Sequence, residues 1–518
     1  MRREASIAMD KINPCLTRNR ISQEDFELIA RTFPQSESPE DSSAIHSSNL
    51  DSGSQRLPIF NIRLRPSTVK RKWKPEDFYS DKSRIVFCSS FRRMMQKVQV
   101  FSLESNTSVR NRLTHSLEVA DVGRTLARHM GKKLEAKGIA TPEVTECMQG
   151  IVENACLLHD IGNPPFGHFG EQAIRSWFTT RGMEMFSRAR EHRLPLGLPD
   201  DTRDLLNDFL LFDGNPQGFR IVTRLHCDVD HFGLNLTGSS LLAAIKYPKY
   251  GSQFGNKLGV FSSERKIYEN ICGLCGVAPG KRYFLAYVME LADDVCYCLS
   301  DIADGFEKRV MASRDFKDEF RKICEAEGVD VTTVIPKGME KISNFGYEVA
   351  IRITRRVIDE AAIQFATNIE SYLDGTAKEM SEDLPTGKVL KCFKTFARRF
   401  IYTDQEVQRI EIAGSRIVEG LLDHYGRLLE IPRSEFAHFV DRGELRRHSG
   451  LDTEWRIFNQ LSKRMIRVYK QSADNASRDE EWIMRARLIV DYISGLTDTY
   501  ALHVYQNFMG ISLGSQGR

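Results

Sequence analysis

No run of about 18 apolar residues occurs in the chain, so no segment reads as a helix able to cross a bilayer. The amino end shows no secretory leader, and the 11 cysteines therefore point to a soluble protein in the reducing cytoplasm. Cys272-Gly273-Leu274-Cys275 has no second Cys/His pair at zinc-finger spacing, which leaves it a structural or incidental pair. There is no Gly-rich phosphate loop, no internal repeat, and no alternation of strands and crossover helices of the kind a parallel sheet needs. A net charge of +3 over 518 residues says little about partners for the chain as a whole.

What is present is a long, mostly helical pattern. Hydrophobic residues make up 41% of the chain, enough to fill a large core. Apolar residues recur at helical spacing from Ser80 onward, with prolines and glycines gathered at the breaks, and the expectation is an all-α fold with at most a few short strands. Three regions are expected. Residues 1–55 form a polar, Ser-rich tail that cannot bury enough surface to offset its ordering entropy, with a short helix within 1–33. Residues 56–310 form a catalytic core, carrying a polar insertion at 180–204 and a Gly-rich excursion at 250–280 with two short strands. Residues 311–518 add helices that complete the pocket and make oligomer contacts. Among these, the helix expected over 347–373 carries Ile351, Ile353, Val357, Ile358 and Ile363. Locally, Arg56 to Gln99 holds 12 Lys/Arg against 3 Asp/Glu, an excess of +9 that suits an anionic substrate or single-stranded nucleic acid, or else a solvated face.

The most informative stretch runs from Glu153 to Glu171. Apolar residues at Ile151, Ala155, Leu157 and Leu158 predict a buried helix that ends near His159-Asp160, where Pro164 and Pro165 stop it. His168 and Glu171, three residues apart, then share a face of the next helix. Upstream, Arg112-Leu113-Thr114-His115 opens another amphipathic helix with apolar positions Leu113, Leu117, Ala120, Leu126, Ala127 and Met130. Downstream, Met289-Glu290-Leu291-Ala292-Asp293-Asp294 places acids inside an apolar helical pattern, where buried carboxylates need partners. Two histidines and two aspartates with open positions suit an octahedral divalent ion such as Mg²⁺, Mn²⁺ or Fe²⁺ rather than a closed zinc site. Such an ion polarises a phosphoryl oxygen and lowers the pKa of a bound water, so phosphate-ester hydrolysis is the natural reaction.

His115, then His159-Asp160, then an aspartate in Ala292-Asp293-Asp294 reproduces the ligand order of the HD phosphohydrolase superfamily. Three segments, His159 to Glu171, Arg112 to Val119 and Met289 to Cys298, closely resemble the deoxyguanosinetriphosphate triphosphohydrolases (dGTPases). The likeness runs from about Ser80 to the carboxyl end and includes Phe212 to Arg220 and Asp491 to Asp498.

The resemblance implies an HD-domain helical core and hydrolysis of dGTP to deoxyguanosine and inorganic triphosphate, in control of the dNTP pool. It implies His115, His159, Asp160 and Asp293 as metal ligands, with Mg²⁺ or Mn²⁺ first and Fe²⁺, Co²⁺ or Ni²⁺ also suitable. His168 is implied as general acid or in-line group, and Glu171 as the residue that orients it. Arg112 matches a phosphate contact, for which a planar guanidinium is well suited. Gln99, Lys246, Lys257, Tyr297, Asp301, Tyr402, Glu411 and Arg456 match substrate-binding positions, with Tyr297 and Asp301 beneath the deoxyribose. The family likeness also implies a homo-oligomer, with a hexamer as the expected form, and single-stranded DNA is a further partner to be tested. Two alternatives stay open: an HD hydrolase of another nucleotide phosphoester, and a nucleic-acid-binding or regulatory HD protein without dNTP turnover. Deleting residues 1–55 is expected to leave catalysis largely intact, and loss of activity or of the folded state in the shortened protein would show the tail to be part of the fold.

Overall fold

Helices joined by turns build most of the described residues. The computed structural model describes residues 57–511, apart from 68, 70–72, 104–105, 191–197, 229, 252–256, 311–312, 335–344 and 446–448. The expected Ser-rich tail and the short helix within 1–33 lie outside the described residues. Among those that are described, β structure is limited to two isolated bridges, Arg63 to Thr237 and Val98 to Asn111.

The helices that position the site are α1 (Pro75–Phe87), α2 (Ser89–Arg93), α3 (Arg112–Ala136), α4 (Pro142–Leu158), α5 (Gly167–Trp177), α6 (Gly214–Arg220), α7 (Ala286–Glu307), α8 (Phe345–Thr367), α9 (Gln405–Gly426), α10 (Lys463–Ala473), α11 (Arg478–Ser494) and α12 (Asp498–Phe508). At the start of α3 the Asn111 side chain accepts from the Thr114 amide, while Thr114 Oγ1 accepts from the Asn111 amide. This reciprocal cap satisfies two otherwise orphaned donors and sets Arg112 and His115 in the first turn. α4 begins with Thr141 as its cap and Pro142 in its first turn, and its residues from Gly150 to Leu158 are all buried. α3 and α4 pack closely through glycines: a Cβ on Gly123 would lie 2.6 Å from Cys156 Sγ, and one on Gly131 would lie 2.5 Å from Thr145 Cγ2.

The buried apolar side chains gather into two cores. One holds Phe78, Leu126, Ile151, Leu158, Val295 and Phe365, from α1, α3, α4, α7 and α8. The other holds Ile174, Trp177, Leu421, Ile489 and Val504, from α5, α9, α11 and α12. The turn between α4 and α5 crosses from one to the other, since Ile161 belongs to the first and Phe166 to the second. Phe166 takes a left-handed backbone with φ of 61°, a conformation that costs an ordinary residue about 1–2 kcal/mol. Its amide donates to Asp498 Oδ1 at 3.0 Å, and its buried ring meets Gly414 of α9, where a Cβ would lie 2.5 Å from the ring.

Several expectations change. The excursion at 250–280 contains no strand among its described residues; Arg265–Cys275 is helical instead. Tyr268, Ile271, Cys272 and Cys275 recur there at helical spacing and are buried, so the period-3.6 signal outweighs the glycines. Both cysteines of the pair are buried free thiols. The polar insertion contributes two helices, Met183–Ala189 and Asp200–Leu210. Leu117, read as part of an apolar helical face, is exposed; on the helix expected to meet both the core and another subunit, Ile353, Val357 and Ile358 are buried while Ile351 and Ile363 are exposed. Part of the basic stretch turns inward: Arg63 pairs with Asp81 at 2.6 Å, Lys82 pairs with Glu153 at 2.6 Å, and Lys97 is buried.

The turn tolerates no added bulk at Gly162, where a Cβ would lie 2.1 Å from both Gly214 O and Gly218 N, backbone atoms of α6 that cannot step aside. Gly162→Ala is therefore expected to cost about 2 kcal/mol or more. Gly273→Ala, on a helix face with nothing within 4 Å, is expected to be neutral or to gain up to about 1 kcal/mol. Thermal unfolding of the two variants checks the ranking.

Candidate active site

His115 projects from the first turn of α3 and is fully buried, His159 closes α4, and Asp293 stands on α7. Ligand atoms from these three all lie within 4.8 Å of one another. Asp293 Oδ1 is 3.4 Å from His115 Nε2 and 3.6 Å from His159 Nε2. His159 Nδ1 lies 2.6 Å from the Cys156 carbonyl, which can only accept, so Nδ1 carries a proton and Nε2, on the side of Asp293, is the nitrogen that would serve a metal ion. That buried Nε2 has no hydrogen-bond partner, a condition a metal ion relieves. The donor set of two imidazoles and a carboxylate fits a divalent ion.

Asp160 stands beside this trio rather than within it. Its Oδ2 is 3.6 Å from His159 Nε2 but accepts from Arg112 Nη1 at 2.7 Å, and its Oδ1 accepts from Asn163 Nδ2 at 2.5 Å. Burial alone would raise both carboxyls. Arg112, with His159 and His115, instead holds Asp160 down to about 2. His159, His115 and Lys246 hold Asp293 well below the usual carboxylate range. Both are therefore anions at neutral pH, as ligands must be.

Of the adjacent acids on α7, Asp294 points elsewhere. It accepts from Ser381 Oγ at 2.9 Å and pairs with Lys394 at 2.9 Å. Neighbouring helical residues diverge by about 100°, so one of the two faces the histidines and the other faces a separate cation.

His168, next to the turn, is exposed, and its Nδ1 lies 2.9 Å from Glu171 Oε2. The hydrogen bond to Glu171 raises the imidazole above its ordinary value, against a smaller opposing desolvation. Glu171 is buried and its other oxygen accepts from the Gly214 amide at 2.8 Å, so α6 sets the carboxylate that orients His168. α6 is itself anchored by Arg220, whose Nη2 reaches Asp491 of α11 at 2.7 Å.

The other sequence-predicted residues divide. Lys246 Nζ lies 3.9 Å from Asp293 Oδ2 and 3.3 Å from Glu290, and these acids keep it protonated against burial. Lys257 is exposed and sits over the Tyr247 ring at 4.9 Å. Asp301 is buried on α7 with Oδ1 unpartnered, while Oδ2 accepts from the Tyr402 hydroxyl; burial pushes its carboxyl up to about 7. The rings of Tyr297 and Tyr402 lie 6.2 Å apart, so Asp301, Tyr297 and Tyr402 form one cluster. Gln99 is half-buried with an unpartnered Oε1. Glu411 on α9 is half-buried, and burial raises its carboxyl to about 7. Arg456 lies exposed on the helix Asp452–Phe458 and joins none of these groups through a hydrogen bond or ion pair among the described residues. Sequence reasoning missed Asn163, Glu290, Tyr247, Lys394, Lys97 and Asp498. Tyr247 stands beside Lys246, and Asn163, Glu290 and Asp498 lie inside segments that the sequence singled out, but nothing there gave their partners.

Residues 112–210 match the HD domain family, and residues 454–507 match the phosphohydrolase-associated domain family. A probable deoxyguanosinetriphosphate triphosphohydrolase of Pseudomonas aeruginosa is 32% identical over 470 residues, covering 82% of this chain and 91% of the relative. Deoxyguanosinetriphosphate triphosphohydrolases of Serratia proteamaculans and Yersinia enterocolitica are each 32% identical, over 480 and 506 residues, covering 83% and 88% of this chain and 93% and 98% of theirs. The chain belongs to the deoxyguanosinetriphosphate triphosphohydrolase family. Its HD match begins at Arg112, the first residue of α3, and so takes in His115, His159, Asp160, His168 and Glu171. No helix among the described residues is long and apolar enough to cross a membrane.

The division of labour between the two acids of α7 gives a direct test. Asp293→Ala is expected to abolish metal binding, measured by metal content after dialysis, whereas Asp294→Ala retains the metal. The opposite ranking would assign the ligand to Asp294.

Proposed function

We propose that this protein hydrolyses dGTP to deoxyguanosine and inorganic triphosphate, with His115, His159, Asp160 and Asp293 holding a divalent metal ion. The observation that carries the reading is the convergence of His115, His159 and Asp293, beside a histidine oriented by a buried glutamate. Family membership over most of the chain supports the substrate. When bound, the ion supplies a Lewis acid for the α-phosphoryl oxygen and a more acidic water.

The chain's own groups bind, orient and move a proton. Water attacks the α-phosphorus and the bond from phosphorus to the 5′-oxygen breaks, so triphosphate leaves whole and the 5′-oxygen takes up a proton. His168, whose protonated form Glu171 favours, donates that proton; Glu171 holds the imidazole in line through Nδ1. Arg112 and the lysines Lys246 and Lys257 bind the phosphates, with Arg112 also tying Asp160 in place. Tyr297, Asp301 and Tyr402 receive the sugar, where an aromatic ring leaves no room for a 2′-hydroxyl. Gln99, Glu411 and Arg456 complete the nucleoside pocket, Arg456 only after a movement that brings it inward. Mg²⁺ or Mn²⁺ is the metal proposed. A cytoplasmic homo-oligomer, and single-stranded DNA as a further partner, belong to the same reading and rest on the sequence alone.

The test is a product assay on metal-supplemented protein with each of the four dNTPs, scoring nucleoside and triphosphate together. Deoxyguanosine with intact triphosphate, and dGTP ahead of the others, is the expected result; monophosphate with pyrophosphate, or no turnover, overturns it. His168→Ala is expected to keep the metal and lose about 10²–10⁴-fold in kcat, the usual size of a general-acid contribution. An unchanged kcat removes His168 from the mechanism.

A further inference from the structure

Away from the metal-ligand cluster, a cavity of about 440 Å³ opens between α2, α10 and the link from α11 to α12. It shares none of His115, His159, Asp160, Asp293, His168 or Glu171. Its polar wall is a chain of donors. Arg464 Nη1 lies 3.2 Å from His226 Nδ1, and a guanidinium can only donate, so Nδ1 accepts. The imidazole is neutral, driven down to about 4 by burial and by the charges of Arg464 and Arg93. Its proton therefore sits on Nε2 and is donated to Ser90 Oγ at 3.0 Å. Ser90 Oγ also accepts from Arg93 Nη2 at 2.8 Å. Both of its lone pairs are thus used, and its own proton has no acceptor among the described residues.

Two guanidiniums are held around this buried Ser90–His226 pair with too few acceptors. Arg93 pairs with no carboxylate among the described residues, and burial followed by the charge of Arg464 makes its cationic form less favourable. Arg464 has one acid, Asp228 at 2.8 Å, whose side chain is more than half exposed. Asp491 also lines the cavity, but its oxygens accept from Arg220 and from Gln217 Nε2. The facing wall is apolar, with Ile221, Leu225, Met465, Tyr492 and Leu496. The volume is in the range of small-ligand pockets.

We infer that this cavity is a second ligand site, which takes a small phosphate monoester with an apolar or aromatic body. The phosphate accepts from Arg93, Arg464 and the Ser90 hydroxyl, and the body lies on Tyr492 and Leu496. Paired arginines suit the planar, multidentate geometry of a phosphate group, and a bound dianion removes the repulsion between them. Gln96 and Thr497 in the same wall immediately precede Lys97 and Asp498, the side chains that hold the turn between α4 and α5. The inference concerns binding and stands whether or not the protein hydrolyses dGTP.

The experiment is calorimetric titration of the full-length, metal-loaded protein with phenyl phosphate, and separately with inorganic phosphate. Phenyl phosphate is expected to bind, more tightly than inorganic phosphate. The double variant Arg93→Gln with Arg464→Gln is expected to weaken it at least tenfold, and Lys246→Gln, beside the metal ligands, to leave that event in place. Ser90→Ala, a smaller change, is expected to weaken the same event, and unfolding profiles of both variants matching the parent show that the loss is local. Binding that survives the arginine and serine changes overturns the inference, as does binding removed by Lys246→Gln. Retention of a single-stranded oligonucleotide through these arginines, with no phenyl phosphate binding, also overturns it, in favour of a nucleic-acid backbone.

Discussion

The geometry of the site depends on how the turn between α4 and α5 is held. Asp498, at the start of α12, accepts the Phe166 amide with one oxygen and the Val98 amide with the other. Lys97, next to Val98, donates to the carbonyls of Asn163 and Ser494. Two opposite charges, both removed from water, thus bind three distant segments together, and each satisfies backbone groups that would otherwise be buried without partners. Burial makes the charged form of each less favourable, which ties the pair to its hydrogen bonds rather than to simple attraction. The left-handed backbone at Phe166 persists because the clamp and the buried ring offset its cost.

From this clamp the rest of the site can be followed outward. Asn163, held through its carbonyl by Lys97, gives its side-chain amide to Asp160. Asp160 in turn receives Arg112 from the first turn of α3, so the N-terminal ends of α3 and α5 and the C-terminal end of α4 converge on one point. α6 contributes the amide that fixes Glu171, and is held in turn by the Arg220 pair with Asp491. The positive and negative groups are sorted around α7. Glu290 is shared by Lys246 and Arg282, Asp294 is taken by Lys394, and Asp293 faces the two histidines with Lys246 at 3.9 Å from its other oxygen. In a low-dielectric setting this sorting decides which carboxylate faces the two imidazoles.

The legible part of the site is the part written in contiguous motifs. His159, Asp160, His168 and Glu171 lie within one turn-centred run, and the helical period of their flanks is enough to say that they share a region. His115 and the Asp293-Asp294 pair are recoverable through the H…HD…D order that the chain shares with its family, each placed on a helix that reads as amphipathic. Side chains that act through distant partners are not: nothing local to Lys97 or Asp498 marks them, since their role exists only once 400 residues of chain separation have been closed. The same holds for Arg112, which reads as a phosphate contact but is also engaged by Asp160, and for Arg456, which the structure leaves apart from the other predicted substrate contacts.

The helical class, the helix opening near Arg112 and the stop at Pro164-Pro165 follow from the sequence, because breakers and hydrophobic period act over a few residues, and the metal-ligand candidates follow from the motif order shared with the family. Only the tertiary structure decided which acid of Asp293-Asp294 faces the histidines, which oxygens of Asp160 are already engaged, and that Leu117 and Ile363 face outward. Each of these turns on the rotation of one helix against its neighbours, a few tens of degrees that packing selects and that local sequence does not encode.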